Sequence, residues 1–200
     1  MIQRMTGRTS DRWRKYEPII RNELEMAEIE MIPRNLSEIL AKINTGESDG
    51  GRGVFFIGPT GTGKSLRLEF ASEMFGIEMV SAMDLVRQLQ NAENEIEEKE
   101  IVRCQPCRYQ TPPHYHDLII DDLGIEPLDV LVYGTRRELI IEAIYNRYKV
   151  FTDAGRQWKT HFTSNLTKEE IRARYGERIW SRLNEMVTFV SLVGKDRRIG

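Results

Sequence analysis

Apolar residues recur at spacings of three and four near the start of the chain: Trp13, Tyr16, Ile20, Leu24, Ala27 and Met31. That period puts them on one face of a helix. Pro33 interrupts the pattern, and Asn35 or Ser37 offers a cap for a second short helix ending near Ile43. The run from Asn44 to Gly51 is polar and glycine-rich, a flexible connection. It divides a helical segment, 1–45, from a second region, 46–200. The texture then becomes an alternation. Val54 to Ile57 is a short β-branched and aromatic run, a buried strand, and Lys64 to Phe75 has helical spacing. Met79-Val80 predicts a short strand and Met83 to about Glu98 a helix. Leu118-Ile119-Ile120 is a strand ending in two acids, and Arg136 to Phe151 a helix. Thr160 to Thr163 is a strand, followed by a helix capped at Thr167, where Glu170 completes a capping box. Glu177 to Leu183 reads as another helix and Val187 to Val193 as a closing strand. Such alternation predicts an α/β fold, a parallel sheet covered by helices.

Composition narrows the classes. The chain has 200 residues, 40% of them hydrophobic and 30% charged, which excludes a disordered chain. Basic and acidic side chains number 29 and 31, so a histone-like, strongly basic nucleic-acid binder is excluded. No apolar run is long enough to span a membrane. The basic start has no apolar core and is not a secretory signal. With two cysteines, a disulfide framework is not expected, and the compartment expected is the cytoplasm.

The candidate chemistry starts at Gly58-Pro59-Thr60-Gly61-Thr62-Gly63-Lys64-Ser65, which fits G-x-x-x-x-G-K-[ST]. Glycines let successive backbone N–H groups face inward as an anion nest, and the following helix adds its N-terminal dipole. Lys64 is placed to reach the β- and γ-phosphates of a nucleotide, and the Ser65 hydroxyl to ligate magnesium. Asp121 and Asp122 follow at the carboxyl end of a buried strand, the edge that faces the ligand crevice in a parallel sheet. Asp121 suits the magnesium shell, and Asp122 suits polarising an attacking water. Phosphoryl transfer rests on positioning and charge neutralisation, so few groups suffice.

Other residues read two ways from spacing alone. Asn165, after the strand Thr160 to Thr163, holds a water near a γ-phosphate or simply caps a turn. Arg178 and Arg182 lie one turn apart on a helix, as functional cations or as a solvated face. Cys104-x-x-Cys107 with His114 and His116 is either a small zinc loop or a proline-rich surface loop with incidental ligands. Lys168, Arg172, Arg174 and Arg178 form a basic stretch whose field Glu169, Glu170 and Glu177 reduce, and the basic start from Arg4 to Lys15 either meets DNA phosphates or is a solvated tail. Glu93 to Glu100 has five acids and one lysine, which would repel DNA. The Trp13 face packs on the rest of the chain or docks a partner helix.

Taken as an ordered set, these segments resemble the AAA+ ATPases, specifically the DnaC/IstB-like branch of replicative helicase loaders and transposition helper ATPases. The resemblance spans roughly Ile32 to Arg198. It rests on Ile32-Pro33-Arg34, the Gly58–Ser65 loop, Leu118 to Gly124, Thr163-Ser164-Asn165-Leu166, Tyr175 to Ile179, Ser181-Arg182-Leu183 and Gly194 to Arg198. It implies a P-loop core with a five-stranded parallel sheet, a short N-terminal helical segment and little or no separate C-terminal lid. It also implies roles: Lys64 and Ser65 in Walker A, Asp121 and Asp122 in Walker B, and Asn165 as sensor 1. Arg182 matches an arginine finger offered to a neighbouring subunit, and Arg198, with Arg197 competing, matches sensor 2. Met79 to Leu89 resembles the strand-helix unit that precedes a DNA-facing insertion in initiator-type members. The expected cofactors are ATP and Mg2+, with zinc as a further candidate. The expected partners are a hexameric replicative helicase, single-stranded DNA and further copies of the chain. Two features depart from the pattern. Asp122 stands where many AAA+ proteins have Glu, and about 45 residues precede the core, implying a reduced docking helix. Three readings follow: a helicase loader, a transposition helper acting on duplex DNA, and a nucleotide-gated adaptor with negligible turnover.

Overall fold

The computed structural model describes residues 52–103, 116–156 and 158–193. The helices expected between Asp11 and Ile43, and with them the proposed division at residue 45, lie outside these, as do Cys104, Cys107, His114, Arg197 and Arg198.

In chain order, β1 (Gly53–Ile57) leads to α1 (Lys64–Phe75), β2 (Glu78–Ser81), α2 (Ala82–Gln90) and α3 (Glu95–Arg103). Next come β3 (Leu118–Asp121), β4 (Val130–Val132), β5 (Thr135–Arg137), α4 (Leu139–Asp153), β6 (Thr160–Ser164), α5 (Lys168–Met186) and β7 (Val187–Ser191). One sheet runs β2-β3-β6-β1-β7, and β4-β5 form a separate hairpin. Every pairing in the large sheet is parallel. The expected α/β core with a five-stranded parallel sheet is therefore present.

The central strands β1 and β6 are buried along their whole length, as parallel strands covered on both faces must be. Phe55 anchors the core, with its ring centroid 5.2 Å from Phe162 and 4.9 Å from Phe189. Gly53 is required by close approach: a Cβ there would lie 1.9 Å from the Thr160 carbonyl oxygen. Arg147 is 1% exposed, and its guanidinium donates to Thr160 Oγ1 and to the carbonyls of Val102, His116 and Lys159. A buried cation with such a full set of acceptors ties α4 to α3, to the entry of β3 and to β6.

Register positions the site. Ile57 pairs with Ser164, and Ile120 pairs with Phe162. Three strands thus end together, bringing Gly58, Asp121-Asp122 and Asn165 to one edge of the sheet.

Local structure departs from the sequence reading in two places. The helix expected from Met83 to Glu98 is two helices. Asn91 caps the end of α2, and Asn94 Oδ1 accepts the Ile96 and Glu97 N–H groups at 3.0 Å each, restarting the chain as α3. The helix expected from Arg136 starts at Leu139 instead, because Arg136 and Arg137 lie in β5. Their helical spacing is overridden by a turn at Tyr133-Gly134, where both φ angles are positive. The capping box at Thr167 and Glu170 is present, and the two expected C-terminal helices form one element interrupted at Gly176 (φ 79°, ψ 164°).

Candidate functional site

The loop between β1 and α1 carries three glycines with positive φ, Gly58, Gly61 and Gly63. Side chains avoid this conformation. At Gly58 a Cβ would in addition meet the Leu192 carbonyl oxygen at 2.2 Å. The loop is fixed from both sides, since Gly58 N–H donates to the Ser164 carbonyl at 3.3 Å and Leu192 N–H to the Ile57 carbonyl at 2.8 Å. Within it, the Thr62 hydroxyl donates to the Pro59 carbonyl at 2.9 Å, and the buried Arg67 guanidinium donates to the Thr62 and Gly63 carbonyls at 3.0 and 3.1 Å. Pro59 and Thr60 form the exposed rim.

Lys64 is 4% exposed. Its ammonium donates to the Gly58 carbonyl at 2.8 Å, the Pro59 carbonyl at 2.7 Å and Asn165 Oδ1 at 2.7 Å. Two residues a hundred positions apart in sequence therefore meet across the crevice between β1 and β6. The positive-φ glycines, the helix that starts at Lys64 and the Lys64 ammonium fit an anion such as a polyphosphate.

The acid pair is held through β6. The Thr163 hydroxyl donates to Asp121 Oδ1 and accepts the Asp122 N–H at 2.8 Å. Leu123 N–H donates to the Thr163 carbonyl at 2.8 Å. The Ser164 hydroxyl donates to the Leu123 carbonyl and accepts the Leu166 N–H at 3.1 Å. Asp122 sits at φ 53°, a left-handed conformation uncommon outside glycine. Gly124 follows at φ 115°, where a Cβ would meet Leu166 Cδ1 at 2.6 Å. Thr163 and Ser164, read in the sequence only as strand and motif, are what join the two strand ends.

Glu126 was not foreseen as a site residue. It is 1% exposed, and its carboxylate accepts the Gly124 N–H at 2.7 Å and the Tyr175 hydroxyl at 2.6 Å. Arg174 donates to the Glu126 backbone carbonyl and pairs with its carboxylate at 3.5 Å. Burial and this carboxylate push the Tyr175 phenol above its ordinary pKa, so it stays a donor. The turn after the acid pair is thereby bonded to α5 just before its interruption at Gly176. The separation of nearly fifty residues left no local signal for it.

Arg182 lies elsewhere. Helix α5 starts where β6 ends, at the loop edge, and delivers the chain to the start of β7 at the opposite edge. Arg182 lies beyond the interruption at Gly176, five residues before Val187 opens β7. Its guanidinium lies over Tyr145 and Tyr148, 5.0 and 5.2 Å from the ring centroids, and donates to the Arg178 carbonyl at 2.7 Å. Arg182 Nε is buried with no hydrogen-bond partner. Beside it, an open groove of about 830 Å³ between α4 and α5 is lined by Glu142, Tyr145, Arg174 and Arg178 among others. Of the basic stretch, Arg172 pairs with Glu177 and Arg174 turns inward to Glu126.

Among the described residues no cluster of three or more His, Cys, Asp and Glu could hold a metal. Of the four candidate zinc ligands only His116 is described, and its ring packs edge-on against Trp158 at 5.8 Å. His161 is fully buried, its Nδ1 accepting the Val54 N–H at 3.0 Å. Burial first, then the Lys159 and Arg147 charges, lowers its pKa to about 3, so it is neutral.

The sheet order and the loop define an α/β core in which a glycine-rich phosphate-loop sequence joins a central parallel strand to a helix. Among solved structures, the chain is similar to the crystal structure of the DnaC helicase loader. They share 19% identity with a TM-score of 0.51, over 81% of this chain and 93% of that one. It is also similar to AMPPCP-bound DnaA from Aquifex aeolicus, with 15% identity and a TM-score of 0.51, over 80% of this chain and 47% of that one. A replication initiator DnaA bound to AMPPCP and single-stranded DNA has 14% identity and a TM-score of 0.55, over 79% and 45%. The chain spans less than half the length of these initiators. At such identities the likeness is one of fold. No family model matches the sequence, and no curated protein matches it. No helix of the described residues is long and apolar enough to cross a membrane.

Proposed function

We propose that this chain is an ATP-hydrolysing switch of DNA replication that loads a ring-shaped replicative helicase onto single-stranded DNA. The observation that carries the ATPase reading is the convergence at one sheet edge: Lys64 within 2.7 Å of Asn165, with Asp121 and Asp122 bonded to Thr163 of the same strand. The fold similarity to a helicase loader, and to an initiator solved with AMPPCP and single-stranded DNA, supports the finer reading.

In this reading the Gly58–Gly63 N–H groups seat the phosphates, and Lys64 neutralises charge on the transferring group. Ser65 and Asp121 would hold a magnesium ion, which would supply charge neutralisation to the phosphates. Asp122 takes the proton of the attacking water. Asn165 orients that water, and its contact with Lys64 keeps it at the crevice. Arg182, at the far edge of the sheet from its own loop, serves the nucleotide of a neighbouring copy, so turnover depends on self-association. Arg198, or Arg197, completes the γ-phosphate contacts. The open groove beside Tyr145 and Arg178 belongs to the face that carries Arg182.

The test is ATP turnover of the parent and of Lys64→Ala, with single-stranded and with duplex DNA. The variant is expected to lose at least ~100-fold; equal rates sink the ATPase reading and leave a nucleotide-gated adaptor. Stimulation by single strands, with ATP-dependent co-migration with a hexameric replicative helicase, is expected of a loader. Stimulation by duplex alone, without a helicase complex, makes the chain a transposition helper.

A further inference from the structure

The β4–β5 hairpin closes through two residues, Tyr133 and Gly134, between the paired Val132 and Thr135. Their φ angles are 47° and 82°. A two-residue turn with both φ positive follows the twist of its strands, and Asn-Gly is its relaxed sequence. A bulky side chain at the first position crowds its own backbone. Burial does not offset that strain, because Tyr133 is 81% exposed. The ring is nevertheless held in place, since its hydroxyl donates to the Ala92 carbonyl at 3.1 Å. Strain retained at an exposed, anchored aromatic points to a use for the ring.

The surroundings say what kind of use. Among the described residues six large hydrophobic side chains are exposed, and five of them belong to α3 and the 125–133 segment: Ile96, Ile125, Leu128, Leu131 and Tyr133. Leu131 is 61% exposed, and its carbonyl accepts from Gln90 Nε2 at 3.1 Å, so the strand is pinned beneath it. Residues 93–100 and 129–138 carry seven carboxylates against three cations. Each of those cations is engaged: Lys99 with Glu95, Arg136 with Asp129, and Arg137 with Glu98 and Glu142. The corner is therefore an apolar knob on an acidic field. That field repels phosphates, which argues against a base-stacking role for Tyr133. It attracts a protein surface with the complementary pattern.

We propose that the hairpin tip, Leu131 and Tyr133, is a docking site for a protein partner whose contacting segment carries an apolar side chain flanked by lysine or arginine. A fixed aromatic with open faces is the kind of pre-ordered anchor around which interface energy concentrates. The acidic rim sets the approach of the partner and makes the contact salt-sensitive. The inference stands apart from ATP hydrolysis and holds for any fate of that reading.

The test uses the full chain and fluorescence anisotropy with three probes: a short labelled peptide of leucine, tryptophan and lysine, its twin with glutamate for lysine, and a single-stranded oligonucleotide. The basic peptide is expected to bind, more weakly as salt rises, and the acidic twin not to bind. Leu131→Ser and Tyr133→Asn are expected to weaken binding at least ~10-fold. Tyr133→Asn installs the relaxed turn sequence, so its melting temperature is expected to equal or exceed the parent's, separating lost docking from lost folding. The proposal is overturned if both peptides bind alike, if neither binds, or if Tyr133→Asn binds the basic peptide as the parent does. It is also overturned if Tyr133→Asn costs oligonucleotide binding instead, or only self-association, which would make the occupant DNA or a second copy.

Discussion

Asp122 and Tyr133 are both non-glycine residues with left-handed φ, 53° and 47°. Their surroundings differ. At Asp122 the N–H groups of three successive residues are bonded: to Thr163 Oγ1, to the Thr163 carbonyl and to the Glu126 carboxylate. The strained turn is gripped by β6 and, through Glu126, by α5. At Tyr133 one phenolic hydrogen bond and the short hairpin ladder hold the turn, and the ring stands in solvent. The same backbone conformation serves geometry at the sheet edge, where chemistry needs atoms fixed to fractions of an ångström. At the corner it serves presentation. The sheet edge should therefore lose stability or turnover with almost any change, and the corner should not.

The hardest break is expected at Gly53, at the start of β1, the far end of that strand from the loop. Gly53→Ala drives a Cβ to within 1.9 Å of a backbone oxygen that no rotamer can move. A loss of at least about 3 kcal/mol is expected in chemical denaturation, at the upper end of overpacking effects. A loss below about 1 kcal/mol would mean that β1 and β6 can separate at that end, so that the strand pair carrying the loop is not rigid.

Acid comes next. The folded pKa of His161 is about 3 and its ordinary value 6.5, so below pH 6.5 the unfolded chain binds a proton that the folded chain refuses. The stability tied to this residue is complete above pH 6.5 and lost as pH falls towards 3. Unfolding free energy is expected to drop by up to about 1.4 kcal/mol per pH unit in that window. His161→Asn keeps an acceptor for the Val54 N–H and should flatten the slope. Equal slopes in both proteins would move the acid sensitivity to other groups.

The smallest effect sharpens the comparison most. Tyr175→Phe removes one hydrogen bond to Glu126 and is expected to cost about 1 kcal/mol of stability. If the turn after Asp122 is positioned through this link, kcat for ATP falls while KM is unchanged. A loss of stability with kinetics intact would make Glu126 a structural brace only.

The chain was unevenly legible. Gly58 to Ser65 could be read because its residues are contiguous and each acts through the local backbone. Asp121 and Asp122 could be read because a strand of three aliphatics ends in them. The link between Lys64 and Asn165 could only be anticipated from the family resemblance, since it depends on the register of β1 with β6. The hairpin was missed because Tyr-Gly is not a usual turn dipeptide and Arg136 continues a helical spacing. The break at Asn91 to Asn94 was missed because the glutamines before it and the glutamates after it favour helix.

What the sequence determined by itself is therefore local: a nest of N–H groups, a cation at its mouth, acids at a strand end, a capped helix. Each follows from conformational preference over a few residues. The tertiary structure decided which of these meet. Parallel register brought three strand ends to one edge, and the direction of α5 carried Arg182 to the other. A buried glutamate joined a turn to a helix nearly fifty residues on. Such choices rest on packing and hydrogen-bond satisfaction summed over the whole core, and no window of the sequence contains that sum.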